Sequence, residues 1–359
     1  MADRRTGERV QKKRRPTYLT DLDDRSFLYY DLFWHLQRSM FEFMKLSLIV
    51  PCFNEQDNVG AFFDACTAVF DGKISGFEVI FINDGSKDGT WNALKEIYKK
   101  NKNTNCKIKL INFSRNFGKE PAIYAGLKRA TGEYVSVIDA DLQQRPEIVV
   151  DMVSFLDNNS DYDSVAAYQS KRAEGRFSAF LKKCFYGIIN KISSVRFRAD
   201  ASDFRTFRRN VAESLLKMPE YHRFSKGLFS WVGFNTYYMP YVAEKRHAGE
   251  TSWSKPGLFG YALDGIVSFS VAPLRLATFA GFLSAAAAII YMIVVIIEKF
   301  VQPIIVPGYA TIVVLLLFLG GVQLIALGII GEYIARIYVQ SKNRPVYIEK
   351  EYISDDSEN

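Results

Sequence analysis

The chain has 359 residues, 48% hydrophobic and 24% charged, a balance that excludes wholesale disorder and a size that excludes a disulfide-stapled mini-protein. Cys52, Cys66, Cys106 and Cys184 form no CxxC pair and only three histidines exist, which argues against a zinc ribbon, a redox dithiol or a histidine-rich metal site. The formal charge is +7, with net +5 in residues 1–15 and net −4 in residues 351–359, so the body of the chain is itself basic and suits an anionic partner such as a lipid surface or a nucleotide.

Residues 1–43 open with a polar, basic segment of the composition that stays disordered, followed by the aromatic stretch Phe27–Trp34. They are expected to be a dispensable extension, with Met44 as the start of the working chain. The rival reading is an amphipathic membrane or subunit contact over Phe27–Phe43. No secretory signal opens the chain, and no folded nucleic-acid module stands beside the basic segment, so no nucleic-acid partner is expected.

From Met44 the pattern alternates between strand and helix. Leu46–Val50 reads as a strand ending in Pro51, and Asp57 as the cap of a helix with Val59, Phe62, Phe63 and Val69 on its apolar face. Phe77–Ile82 is a buried strand closing on Asn83-Asp84-Gly85-Ser86, followed by a helix through Trp91, Leu94 and Ile97. Ile108–Phe113, the helix Pro121–Ala130 and the strand Tyr134–Ile138 continue the series. This order predicts an α/β fold with a mostly parallel sheet and a ligand beyond the strand carboxyl ends. Polar clusters sit there: Asn54-Glu55, Asn83-Asp84 and Asp139-Ala140-Asp141. There is no GxGxxG after the first strand and no P-loop. Asp139 and Asp141, spaced i, i+2, are expected to face one side of a cleft, with Gln143 two residues on. Oxygen ligands of this kind suit Mg²⁺ or Mn²⁺, which accompany phosphates. Asp84 is placed to accept hydrogen bonds from a base or ribose, and the groups together describe a nucleotide-diphosphate site.

Beyond Tyr168, residues 177–195 carry apolar side chains at helical spacing between Lys182, Lys183 and Lys191, the pattern of a basic amphipathic helix that either packs in a core or lies at a bilayer surface. Leu258–Phe269 is a second aromatic stretch. Two uncharged runs follow, Leu276–Ile297 and Tyr309–Ile330, each long enough to cross a hydrocarbon core of about 30 Å. The short link Glu298–Gly308 makes them an antiparallel hairpin. The link carries only Lys299, whereas Arg246, Lys255 and Arg275 precede the first run and Arg336, Lys342, Arg344 and Lys350 follow the second. By the positive-inside rule both termini and the α/β domain are cytoplasmic. The expected organisation is an extension (1–43), an α/β domain (44–254), a juxtamembrane helix (255–272), two spans (273–298 and 309–335) and a cytoplasmic tail (336–359).

Three ordered blocks carry a resemblance: Pro51-Cys52-Phe53-Asn54-Glu55, Asn83 to Thr90 (NDGSKDGT) and Asp139-Ala140-Asp141-Leu142-Gln143. They are similar to the signatures of glycosyltransferase family 2. Asn112 to Lys119 (NFSRNFGK), Asp203-Phe204-Arg205, Arg246 to Trp253 (RHAGETSW) and the two C-terminal spans narrow the likeness. The whole, from about Lys45 to Tyr347, resembles the polyprenyl-phosphate glycosyltransferases of the dolichol-phosphate-mannose synthase group, bactoprenol glucosyltransferase type. The resemblance implies a GT-A fold and inverting transfer of a hexose from a nucleotide sugar, UDP-glucose, to a polyprenyl phosphate in a bacterial inner membrane, with a homotetramer by analogy. It implies that Pro51, Glu55, Asp84, Lys119 and Asp139 bind the nucleotide sugar, that Asp141 and Gln143 hold Mg²⁺ or Mn²⁺, and that Asp203 orients or deprotonates the acceptor beside Asp141 and Arg205. Arg172, Lys183 and Arg246 are implied in binding the acceptor phosphate, and Arg205 is implied with them as a phosphate-binding residue. Family members often have Arg at the position of Lys183 and Gly-Glu-Ser-Lys in place of Gly249-Glu250-Thr251-Ser252. Processive polysaccharide synthases share the early blocks but usually add Gln-x-x-Arg-Trp, which precedes none of Trp34, Trp91, Trp231 and Trp253. A non-catalytic membrane scaffold is the reading of another class, disfavoured by the intact acidic set.

Overall fold

The computed structural model describes residues 44–101, 106–170, 186–187, 189–193, 195, 198, 201–244, 265–301 and 308–355. The expectations for the extension 1–43, for most of the amphipathic stretch 177–195, for the first part of the juxtamembrane stretch and for the block 246–253 lie outside these residues.

One eight-stranded sheet organises the domain, in the order β7-β5-β6-β4-β1-β2-β3-β8. β1 (Leu46–Cys52), β2 (Phe77–Asn83), β3 (Cys106–Phe113) and β4 (Tyr134–Val137) are parallel neighbours. β6 (Ala201–Arg208) runs antiparallel to both β4 and β5 (Ser164–Gln169), and β7 (Thr236–Tyr241) joins β5 in parallel. The predicted parallel α/β order is therefore present.

The parallel strands read as nearly continuous apolar runs because helices cover both faces. On one face α1 (Val59–Phe70), α2 (Thr90–Asn101) and α4 (Pro146–Asn158) bury Phe62, Leu94 and Met152 against Leu48, Val79 and Leu110. On the other, α3 (Lys119–Arg129), α5 (Arg209–Leu216) and α6 (Ser225–Trp231) bury Ile123, Val211 and Leu228 against Ile49, Ile80 and Ile111. Neighbours such as Leu48 and Ile49 thus serve opposite cores, and truncating either to alanine would cost about 2–5 kcal/mol. Asp57 does not cap α1. Asn58 is the N-cap residue, and the turn closes through the backbone, the Glu55 carbonyl accepting the amides of Asn58 and Val59 at 3.0 and 3.1 Å.

Two long apolar helices follow, α7 (Ala272–Val301) and α8 (Tyr309–Ser341), lying against each other. Their segments Ala272–Val294 and Val314–Ser341 have mean hydropathies of 2.0 and 2.5 and are unburied, long and apolar enough to cross a membrane. Half of the last stretch (336–359), expected as a tail, belongs to regular elements instead. α8 continues to Ser341, and β8 (Glu349–Ser354) pairs antiparallel with β3 at the sheet edge. Side chains explain the docking. Tyr347 stacks on Phe113 with ring centroids 4.9 Å apart, Arg129 meets Glu349 at 3.0 Å, and the Trp91 indole N–H donates to Glu351 at 3.2 Å. Both ends of the hairpin are therefore tied to one sheet, through Phe269 before α7 and β8 after α8.

Candidate active site

The strand order reverses between β1 and β4, and in such sheets the crevice lies outside the strand carboxyl ends at that point. β4 pairs with β1 only as far as Val137 opposite Ile49, after which the Ile138 amide donates to the Ile49 carbonyl. Two residues on, Pro51 faces the same side with no N–H to offer. Proline in a central strand would normally cost a ladder bond. Here β4 has already turned away, so Pro51 stands at the mouth of the cleft.

The loops after β1 and β2 are laced together. The Asn54 amide donates to Ser86 Oγ and the Lys87 amide to Asn54 Oδ1, both at 2.9 Å. The Glu55 amide donates to Thr90 Oγ1 at 2.9 Å, and the Gly89 amide to Gln56 Oε1 at 2.7 Å. Asn54 adopts φ 56°, a left-handed conformation that persists where surroundings over-determine it. Gly85, at φ 62°, lies so close to the Arg115–Asn116 peptide that a Cβ would collide with backbone. Asp84, 4% exposed, spends both carboxylate oxygens on the loop before α3, accepting the Phe117 amide at 2.6 Å and the Gly118 amide at 2.8 Å. Burial pushes its carboxyl up to about 6, against those amides and Arg115. Asp84 thus fixes the loop that delivers Lys119.

Lys119 joins the two acidic groups. Its Nζ lies 2.5 Å from Asp139 Oδ1 and 3.9 Å from Asp203 Oδ2. Burial works against its charge, but Asp139 and Asp203 outweigh this and hold the ammonium well above its ordinary value. Gln144, absent from the sequence reading, orients Asp139: its Oε1 accepts the Asp139 amide at 3.1 Å and its Nε2 donates to Oδ2 at 3.2 Å. Asp141 is 6% exposed, and Leu142, at φ 59°, turns the chain so that the Gln143 amide donates to Asp141 Oδ1 at 3.1 Å. Asp203 Oδ1 is buried with no hydrogen-bond partner among the described residues. Burial raises the Asp203 carboxyl, but Lys226, Lys119 and Arg205 pull it below the ordinary value.

Glu120 is the second residue missed in the sequence. Both its oxygens lie 3.0 Å from the Ser225 amide, and it accepts the Ser225 hydroxyl. It clamps the start of α6, which carries Lys226. Burial raises Glu120 to about 7, with Asp203 pushing the same way. Its position beside Lys119 was its only signal.

The cleft fits a divalent cation as a carboxylate half-site. Among the described residues no cluster of three or more His, Cys, Asp and Glu forms a closed cage. Magnesium-type sites need one or two carboxylates, with substrate phosphates and water completing the shell. The local field agrees, because burial pushes the Cys52 thiol up and Glu55, Asp139 and Asp88 push it further. The structure brings together Pro51, Glu55, Asp84, Lys119, Asp139, Asp141, Gln143, Asp203 and Arg205 around this sheet end. Arg172, Lys183 and Arg246 lie outside the described residues.

Residues 47–216 match the family described as Glycosyl transferase family 2, and residues 272–337 match the GtrB C-terminal hairpin. The putative glycosyltransferase CsbB of Bacillus subtilis is 41% identical over 306 residues, covering 85% of this chain and 91% of its own. The prophage bactoprenol glucosyl transferase homolog of Escherichia coli is 39% identical over 308 residues, covering 86% and 99%. Glucosyl-3-phosphoglycerate synthase from Mycobacterium tuberculosis, solved with Mn²⁺, UDP and phosphoglyceric acid, is similar at a TM-score of 0.46 and 16% identity over 62% of this chain and 76% of that one. With its DxD-bearing parallel sheet and its C-terminal hairpin, the chain belongs to glycosyl transferase family 2 and is a membrane-associated glycosyltransferase of GT-A fold.

Proposed function

We propose that the protein transfers glucose from UDP-glucose to a polyprenyl phosphate, with inversion, at the cytoplasmic face of a bacterial inner membrane. The observation that carries this is the Asp139–Lys119–Asp203 bridge, which sets the DxD end of the cleft beside an acceptor-side carboxylate in a chain anchored by an apolar hairpin. An oxygen of the lipid phosphate attacks the anomeric carbon. The bond from that carbon to the donor's diphosphate breaks, and UDP departs with the electron pair. A bound Mg²⁺ or Mn²⁺, held by Asp141 and Gln143, would neutralise charge on the departing diphosphate.

The residues of the chain do the positioning. Asp84 and the laced loops hold the nucleotide end, with Glu55 at its edge. Lys119 offers a fixed positive charge where negative charge develops on the leaving group. Asp203 is a weak base, because Lys226, Lys119 and Arg205 stabilise its ionised form. This supports a role in orienting those cations and the acceptor rather than removing a proton, and a lipid phosphate, already anionic at neutral pH, needs placement more than deprotonation. The sheet, tied to both ends of the hairpin, stays within reach of headgroups.

The test is turnover by the purified full chain, using UDP-[¹⁴C]glucose and undecaprenyl phosphate in detergent with Mg²⁺ or Mn²⁺. A lipid-linked monosaccharide supports the reading. Long polymer would favour a processive synthase, and transfer from another nucleotide sugar alone would overturn the donor assignment.

A further inference from the structure

Three successive residues of α6 answer to three different neighbours. Ser225 is gripped from the cleft side by Glu120, whose oxygens both lie 3.0 Å from the Ser225 amide. Glu120 follows Lys119, the residue bridged to Asp139 and Asp203. Lys226 acts on Asp203: burial raises that carboxyl, and Lys226 leads Lys119 and Arg205 in pulling it below its ordinary value. Gly227 is buried against the segment that leads into the membrane hairpin. A Cβ added there would lie within 2.8 Å of three atoms of the Phe269 ring, Cδ2, Cε2 and Cζ. Glycine is unfavourable inside a helix relative to alanine, and here the ring leaves no room for a methyl group.

Phe269 lies three residues before α7 and is held from several sides. Its carbonyl accepts the Ser193 hydroxyl at 3.2 Å, and its ring packs beside Phe224 with centroids 6.1 Å apart. On either side of it, the Ser270 carbonyl accepts the Tyr333 hydroxyl at 2.6 Å and Ser268 Oγ accepts Arg336 Nη1 at 3.2 Å, both donors belonging to α8. The feet of α7 and α8 therefore meet at residues 268–270, and the ring in their midst sits on α6. Lys226 lies between two grips, one from the cleft and one from the hairpin. At a rise of about 1.5 Å per residue, Ser225 and Gly227 are only about 3 Å apart along the helix axis, so a displacement at Gly227 is felt at Lys226.

We infer that the Phe269–Gly227 contact is a positioning element for the transfer: it fixes α6 so that Lys226 meets Asp203, and through it the membrane hairpin sets the cleft as well as anchoring the chain. A misplacement of about 1 Å that begins far from the chemistry can cost on the order of a hundredfold in rate. The inference rests on the proposed function for the role of Asp203, whereas the contact and its effect on rate are testable whatever the acceptor.

The test compares the purified full chain with Gly227→Ala, Phe269→Val and the double variant; valine lacks the three ring atoms that an added Cβ would meet. Initial rates of nucleoside diphosphate release are measured with the nucleotide sugar that the wild type consumes, since this release registers transfer to any acceptor. All rates are taken well below the lowest melting temperature of the set, so that a loss of folded protein does not enter. Gly227→Ala should lower kcat about tenfold or more while the KM for the nucleotide sugar stays within about twofold. In the Phe269→Val background the same substitution should change kcat by less than about twofold, because the collision is gone. A normal kcat for Gly227→Ala overturns the inference, and so does an equal loss in both backgrounds. A rise in nucleotide-sugar KM at unchanged kcat overturns it too, assigning α6 to the donor. Should Gly227→Ala fail to fold, Phe269→Val decides alone: the seat is lost without a collision, kcat should fall about threefold or more at unchanged donor KM, and a normal kcat overturns the inference. If the wild type makes no lipid-linked glucose, the proposed function fails, and the same comparison of variants still decides the contact.

Discussion

Replacing Asp84 with asparagine separates loop-holding from bulk stability. In the native cleft both carboxylate oxygens accept backbone amides, Phe117 at 2.6 Å and Gly118 at 2.8 Å. Asparagine is almost isosteric but has one acceptor oxygen, so its NH₂ would confront the second amide. The lost charge-assisted bond is worth about 1.5–3 kcal/mol. Against this, the variant no longer buries a charge whose desolvation already lifts the Asp84 carboxyl to about 6. The opposing terms should leave global stability within about 1 kcal/mol of wild type, a Tm change of a few degrees at most. The loop before α3 keeps the penalty, and with it the placement of Lys119. The KM for the nucleotide sugar should rise about tenfold or more, since 1.4 kcal/mol is a factor of ten. The assay is initial-rate kinetics with the acceptor saturating, beside differential scanning fluorimetry. A normal donor KM with a lowered Tm would show that Asp84 serves the scaffold alone and refute the reasoning.

Glu120→Gln carries a pH signature. The native carboxyl is raised from 4.5 to about 7, so its contribution to stability is present below about pH 4.5 and is lost as pH rises through 7. The Tm difference, wild type minus variant, should fall across that window and level off above it; a constant difference from pH 4 to 8 would contradict the burial of this group. Gly85→Ala should destabilise by about 2–4 kcal/mol through left-handed strain and collision with the Arg115–Asn116 peptide, whereas Gly60→Ala, in open space on α1, should be neutral or stabilising by up to about 1 kcal/mol. Equal melting temperatures for the two variants would refute the crowding at Gly85. Gln302→Cys in a cysteine-free background should react with an impermeant thiol reagent added outside intact cells, and labelling only after lysis would reverse the proposed orientation.

The parts legible in the sequence were those in which one residue type has one use. Continuous apolar strands with polar residues at their carboxyl ends announced the parallel sheet and its cleft, and two uncharged runs announced the hairpin. Asp139 and Asp141 could be read because the pair follows the fourth alternating strand, at the carboxyl end of a parallel sheet where ligands bind. Glu120 and Gln144 were not legible, because a glutamate in a first helical turn and a glutamine in a loop are ordinary until Ser225 and Asp139 are brought to them from distant parts of the chain. Strand β8 was hidden by the acidic C-terminus, which resembles a solvated tail. Its acids are answered by Arg129 and Trp91, far away in sequence.

That last strand imposes an order on biosynthesis. A ribosome releases β3 long before β8 exists, and between them it must make both apolar helices. Until then the backbone groups of β3 from Lys109 to Phe113 lie on an open edge, the kind that invites pairing with other chains. The native edge closes only once Glu349–Ser354 emerges and returns to the sheet from which the hairpin departed. Synthesis of both apolar helices therefore precedes completion of the catalytic domain. A chain cut after α8 keeps an unfinished sheet, with the β3 edge open.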